Sequence, residues 1–312
     1  MSQSGPAEGD PPAAASDWLE ALTPPPGEDR IPAFNRGWLT GAGTASHLVY
    51  VDTSGWAWSD DLEELHEESS RDHFIDVLTR DSLIATLPGD PDAIADLGCS
   101  TGYLLEDLRR SRPAAQLVGV DVVAAGLVKA HDNVPEAALL LADVCDLPLP
   151  DDSLAAAVSA NMLEHVEDDV AALREVHRIL RPGGTAAFVV PYGRRLHDYY
   201  DRFLGHYRRY GRGELSDKAH QAGLEVVKVD HLGQLLYPPF WLVKKRNRVL
   251  RGGLKDDALA HQVEADIEAT SNSRLGELAC SWERSLVRRG FSAGVGIREL
   301  VVMRKPSGST AR

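Results

Sequence analysis

The side chains best suited to chemistry in this chain are acids, amides and imidazoles that follow short apolar runs. Asp96-Leu97-Gly98-Cys99-Ser100-Thr101-Gly102 follows Ala93-Ile94-Ala95 and leads into the helical spacing of Tyr103–Leu108. Asp121 follows Gln116–Val120, Asp143 follows Ala138–Leu141, and Asn161 with Glu164-His165 follows Leu154–Ser159. Gly98 and Gly102 suit a strand-to-helix turn at which a ligand meets bare backbone, with Cys99 and Ser100 completing the loop. The spacing is G-x-x-x-G. It lacks the G-x-G-x-x-G of nicotinamide sites and turns the reading toward a different nucleoside cofactor. Asp121, with Val122 beside it, can accept from two ribose hydroxyls. Asp143 can accept from an exocyclic adenine amine, with Val144 and Leu147 as apolar contacts. Asp96 can orient a cationic amino group, while Gly98 and Gly102 leave room for the cofactor tail.

Three histidines could act as general bases, since an imidazole titrates near neutrality: His165, His197 and His206. His165 equally suits a helix cap or a wall of the cofactor pocket. The runs His197-Asp198-Tyr199-Tyr200-Asp201 and His206-Tyr207-Arg208-Arg209-Tyr210 gather donors and acceptors beyond the fifth apolar run. Tyr192, Tyr199, Tyr207 and Arg209 are the candidate substrate contacts. The bland alternative is a stabilising cluster of ion pairs and aromatics. No step calls for a metal, and none is expected.

These residues need a scaffold that delivers them to one edge. Apolar runs at Ala93–Leu97, Gln116–Val120, Ala138–Leu141, Leu154–Ser159 and Thr185–Val190 alternate with helical patterns at Tyr103–Arg110, Val123–Asn133 and Asp168–Leu180. Further strands are expected at Leu224–Val229 and Gly296–Arg304. This alternation predicts an α/β fold: a doubly wound, seven-stranded, mostly parallel Rossmann-like sheet whose ligands sit at the strands' carboxyl ends. Arg181-Pro182-Gly183-Gly184 reads as a helix stop and turn.

Around this sheet the chain divides further. Residues 1–30, rich in Pro, Gly, Ala and acids, read as a disordered tail, and 31–90 as an N-terminal helical cap containing Phe34, Trp38, Tyr50, Trp56 and Trp58. The main domain spans 91–305, with a helical insertion at 231–295 before the last strand, and 306–312 is a flexible tail. The stretch 237–251 admits three readings: a core-packed helix with a solvated end, a lining of an apolar substrate pocket, or an interfacial element making weak contact with an anionic membrane surface.

Composition narrows the function classes. The chain has 312 residues, 43% hydrophobic, and a formal net charge of -14. So acidic a surface argues against a nucleic-acid partner. Cys99, Cys145 and Cys280 form no C-x-x-C pair, which fits a reduced, cytoplasmic setting without a zinc or disulfide framework. No signal-peptide pattern opens the chain, and no apolar run reaches the roughly 20 residues that span a bilayer. A homodimer is compatible with these features but not specified by them.

Taken together, the motifs resemble a class I S-adenosylmethionine-dependent methyltransferase, of the type 11-like kind. Asp96–Gly102 resembles the family's glycine-rich first motif, and Asp121 its ribose-binding acid. Asp143-Val144-Cys145-Asp146-Leu147-Pro148-Leu149 resembles its adenine-side loop. Asn161-Met162-Leu163-Glu164-His165-Val166 resembles the segment after its fourth strand, and Leu180-Arg181-Pro182-Gly183-Gly184 the turn before its fifth. The resemblance covers about Pro91–Val229 plus a last strand, and omits the cap and the insertion. It implies S-adenosyl-L-methionine as cofactor and in-line methyl transfer to a small molecule. The acceptor atom expected is oxygen, on a secondary metabolite or a sugar- or lipid-like compound. The alternative is a non-catalytic S-adenosylmethionine-binding scaffold. A nicotinamide oxidoreductase is disfavoured by the glycine spacing.

Overall fold

The computed structural model describes residues 47–49, 71–251, 273–288 and 293–307. The tail at 1–30, most of the expected cap with its five aromatics, the middle of the insertion and residues 308–312 lie outside the described residues.

The chain runs β1 (His47–Val49), α1 (Phe74–Thr86), β2 (Ala93–Leu97), α2 (Tyr103–Ser111), β3 (Gln116–Asp121), α3 (Ala124–Asn133), β4 (Ala138–Leu141) and β5 (Leu154–Ala160). It continues α4 (Asp169–Ile179), β6 (Leu180–Pro191), α5 (Tyr199–Phe203), α6 (Glu214–Gln221), β7 (Glu225–Leu232), α7 (Tyr237–Arg251), α8 (Arg274–Arg288) and β8 (Arg298–Arg304). The sheet order is β1-β4-β3-β2-β5-β6-β8-β7. All neighbours pair in parallel except β6/β8 and β7/β8.

The expected seven strands are present, and the three-residue β1 adds an eighth at the edge beside β4. Those three residues fall in the stretch read as a helical cap. A strand so short, held by a single neighbour, carries no period-2 signal for a sequence reading to find. The Arg181–Gly184 segment also differs from expectation. Helix α4 does stop at Ile179, but the chain passes directly into β6, with Leu180 paired to Leu154 and Gly183 at φ +82°. Its amide donates to the Lys305 carbonyl, so the turn is absorbed into the sheet margin.

The central strands are apolar on both faces because helices cover both. Ala93, Ala95 and Leu97 of β2 join Leu173, Val176 and Ile179 of α4 on one side. Ile94 joins Leu83 of α1, Leu105 and Leu108 of α2 and Leu127 of α3 on the other. Of the insertion, α8 packs on α1: a Cβ added at Gly276 would lie 2.5 Å from the Phe74 ring, and Arg284 pairs with Asp81 at 2.6 Å. Glu283, buried on α8, accepts the Gly233 amide at 2.8 Å and ties the helix to the end of β7. No helix among the described residues is long and apolar enough to cross a membrane.

Strand order reverses at β2, with β3 and β4 to one side and β5, β6, β8 and β7 to the other. The crevice at the carboxyl ends of β2 and β5 is therefore the expected ligand site.

Candidate active site

The loop Gly98–Gly102 leaves β2 through positive φ at Gly98 (+78°), Ser100 (+46°) and Gly102 (+84°). Such values disfavour side chains, which accounts for the glycines. Their second role is packing. A Cβ on Gly98 would lie 2.6 Å from the Met162 side chain, and one on Gly102 would lie 3.0 Å from Ala130 of α3. The Cβ side of each glycine is thus filled by protein. The close approach puts the Met162 segment directly against the loop.

Asp121 latches that loop. Its carboxylate accepts the Ser100 amide at 2.8 Å and the Val122 and Val123 amides at 2.7 and 3.0 Å. Part of its hydrogen-bonding capacity is therefore structural, alongside any ligand it holds. The Cys99 side chain is buried, with Sγ 2.9 Å from where a Cβ on Gly119 would stand, so Cys99 contributes backbone to the loop and thiol to the core. Asp143 accepts the Cys145 amide at 2.7 Å, which shapes the turn after β4, and Val144 and Leu147 are buried beside it. Asn161 takes φ +54° at the end of β5.

Asp96 differs from all of these. It is 1% exposed, and neither carboxylate oxygen has a hydrogen-bond partner. Burial, reinforced by the nearby Asp121 charge, pushes its carboxyl up to about 8. A buried acid with two unmet acceptors is what a ligand's cationic amino group would satisfy. The residues at this crevice therefore fit S-adenosylmethionine: Asp96 for the amino group, Asp121 for ribose, and the Asp143 turn with Val144 for adenine.

Beyond Met162 the chain makes a short turn, Leu163–His165, and meets the segment that follows β6. The Tyr207 amide donates to the Glu164 carbonyl at 2.9 Å, and the His165 and His206 rings lie edge to face with centroids 4.6 Å apart. His206 Nδ1 sits 3.0 Å from Asp201 Oδ1. Burial lowers the His206 pKa against the pull of Asp201, so its ring is neutral near pH 7. Burial alone would raise the Asp201 carboxyl. The His206 hydrogen bond and the charges of Arg209 and Lys244 outweigh it and hold Asp201 well below the usual carboxylate range. Arg209 Nε donates to Asp201 at 2.6 Å, and Lys244 Nζ donates to Asp198 at 2.7 Å and Asp201 at 3.3 Å.

The structure sorts the remaining candidates. His165 and His206 come together. His197 Nε2 donates to the His206 carbonyl at 3.1 Å, which makes it a strut for the segment. Arg209 is buried in the charged network, with its Nη1 lacking a partner. Tyr192 is buried against His231, with ring centroids 4.7 Å apart. Tyr199 is 2% exposed and belongs to the core, whereas Tyr207 is 45% exposed and stacks with Arg208 at the surface.

Sequence reasoning assigned no role to Glu164, Asp201 or Lys244. Glu164 is fully buried. Its own backbone amide lies close by, but neither carboxylate oxygen makes a hydrogen bond of normal geometry, and burial pushes its pKa up to about 8. Its signal was adjacency to His165. Lys244 lies in the stretch 237–251, for which a core-packed helix with a solvated end is one of three readings; it is 7% exposed because α7 lays it on Asp198 and Asp201.

Comparison with known proteins agrees with this geometry. Residues 95–188 match the methyltransferase-domain family. A malonyl-[acyl-carrier protein] O-methyltransferase of Hahella chejuensis is 36% identical over 31% of this chain and 35% of its own. A 27-O-demethylrifamycin SV methyltransferase of Amycolatopsis mediterranei is 27% identical over 68% of this chain and 79% of its own. The chain spans between 29% and 52% of the length of four of the curated relatives it matches. Among solved structures, the complex of a Haloferax volcanii methyltransferase with its Trm112 activator superposes with a TM-score of 0.53, at 21% identity, over 79% of this chain and 95% of that one. Over residues 95–188 this chain is therefore similar to methyltransferase domains, and its fold is that of the solved methyltransferase above.

Proposed function

We propose that the chain methylates an oxygen of a small-molecule acceptor held beside the Glu164–His165–His206 cluster, where the Met162–His165 turn meets the segment after β6. The observation that carries this reading is contiguity. The same Met162–His165 stretch packs on the cofactor loop at Gly98 and supplies one wall of the Glu164–His165–His206 cluster. The malonyl-[acyl-carrier protein] and rifamycin relatives carry oxygen in their names, and the rifamycin relative supports an acceptor from secondary metabolism. The net charge of -14 supports a partner other than nucleic acid. Three free thiols support a reducing, cytoplasmic setting.

S-adenosylmethionine, when bound, supplies an electrophilic methyl group. The chain's own residues do the rest. Asp96 and Asp121 fix the cofactor's amino group and ribose. The neutral His206 ring, oriented by Asp201, stands ready to accept an acceptor hydroxyl's proton, with His165 beside it. Asp201 in turn is held by Arg209 and Lys244, so the base cannot swing. Tyr192 and Arg209 remain candidate acceptor contacts. Helix α7 packs on the network through Lys244 and Phe240, whose ring centroid lies 5.6 Å from the Arg209 guanidinium.

A thermal-shift comparison tests the cofactor. S-adenosylhomocysteine at one hundred times its Kd should stabilise the protein by about 2.7 kcal/mol, and NAD should not. Stabilisation by NAD alone would overturn the reading.

A further inference from the structure

We infer that Glu164, His165 and His206 form a binding site for a divalent transition-metal ion. The inference deepens the proposed function and rests on it for the ion's use, though not for its binding. One carboxylate oxygen of Glu164 and one ring nitrogen of each histidine lie within 4.8 Å of one another. An ion with bonds of roughly 2.0–2.2 Å draws ligand atoms to about 3–4 Å apart, which small side-chain rotations reach from here.

Three features point to a cation. Glu164 is 0% exposed, and its two oxygens lack well-formed hydrogen bonds, an arrangement that leaves buried acceptors unmet. His206 is oriented as metal-bound histidines are: its Nδ1 faces Asp201 Oδ1 at 3.0 Å, which puts the proton on Nδ1 and the lone pair on Nε2. That orienting carboxylate is itself fixed by Arg209 and Lys244. The positive charges that act on Glu164, Arg298 and Arg209, are paired with Asp76 and Asp201, so the ion does not face them unscreened.

Two imidazoles and one carboxylate suit zinc, iron(II), manganese(II) or cobalt(II). They do not suit calcium or magnesium, which take oxygen-rich shells. Three protein ligands leave coordination positions open, as in catalytic rather than structural sites. With the ion bound, the His206 Nε2 lone pair would serve as ligand instead of base, and an acceptor hydroxyl at an open position, acidified by the ion, would lose its proton to solvent and keep the O–H electron pair. The sequence offers no metal-ligand spacing because His206 reaches Glu164 only when the segment after β6 folds back, through the Tyr207 amide.

The test is titration of chelator-treated full-length protein with zinc or cobalt(II) alone, read by calorimetry and by the cobalt visible spectrum. One ion per chain is expected, with micromolar or tighter affinity. Glu164→Gln and His206→Gln should each weaken it by at least tenfold, and Asp201→Asn by roughly tenfold. His177→Gln, on α4, should leave it unchanged. S-adenosylhomocysteine affinity is measured on every variant. Its retention shows that the fold and the cofactor site survive, so loss of metal binding alone overturns only this inference. Absence of one-to-one binding, or equal affinity in Glu164→Gln, would overturn it.

Discussion

Replacing Asp96 by Asn should strengthen the unliganded protein and weaken its grip on the cofactor. Asp96 titrates near 8 in the fold against 3.8 ordinarily, chiefly because it is buried. The folded value is the higher one, so the group's stabilisation is complete below about pH 4 and is lost as pH rises toward 8. At pH 7, about 3 pH units above 3.8, folding forces the carboxyl to take up a proton. At about 1.4 kcal/mol per pH unit the penalty is at most about 4 kcal/mol. Asn removes it while keeping the shape, and its unpartnered amide replaces an equally unpartnered carboxyl. Urea denaturation at pH 5 and pH 7.5 reads the effect: the variant's advantage should grow by up to about 3 kcal/mol between them. Calorimetry with S-adenosylhomocysteine should show the opposite sign. A lost charge-assisted hydrogen bond of about 1.5–3 kcal/mol weakens binding by roughly 10- to 150-fold. An Asn variant with unchanged affinity, or a stability difference flat with pH, would refute the assignment.

Other outcomes follow from the same geometry. Asp121→Ala should weaken cofactor binding by tenfold or more, and should also lower the melting temperature because three backbone amides lose their acceptor; unchanged affinity in a calorimetric titration would contradict its role. Gly98→Ala should cost about 1–3 kcal/mol in urea denaturation, and adding Met162→Gly should recover only the steric part, since Met162 Cβ and Cγ both lie 2.6 Å from the new methyl while φ +78° remains. Asp201→Asn should cost about 3–5 kcal/mol by leaving Arg209 and Lys244 without their shared counter-charge. Because the folded Asp201 value is depressed, its stabilisation holds above the ordinary carboxylate range and disappears on acidification, so wild type and variant should converge in melts at low pH.

Much of the scaffold was legible because it is built from continuous apolar runs. β2, β3, β4 and β5 lie buried on two faces, and their expected bounds match to a residue or so. The cofactor end was legible for the same reason: Asp96, Asp121, Asp143 and Asn161 each sit one step past such a run. The acceptor end was not. Glu164, Asp201 and His206 are brought together by a loop that folds back on the β5 end, and no local period encodes that closure. Lys244 could be read as part of a solvated helix end because its neighbours are basic, yet its burial depends on Asp198 and Asp201, far away in sequence. Edge strand β1 is too short to announce itself. Gly98 and Gly102 were found from the strand-to-helix turn they suit; their positive φ and the packing of Met162 and Ala130 on their Cβ sides became visible only in the fold.

Methyl transfer itself is the most direct measurement. Purified protein is incubated with S-adenosylmethionine labelled in its methyl group and with the low-molecular-weight fraction of its native extract, and the products are separated by size and solvent extraction. Label in a small, base-stable product, dependent on Asp96 and His206, is the expected result. Label that stays on the cofactor, or moves only into protein or nucleic acid, would contradict a small-molecule methyltransferase.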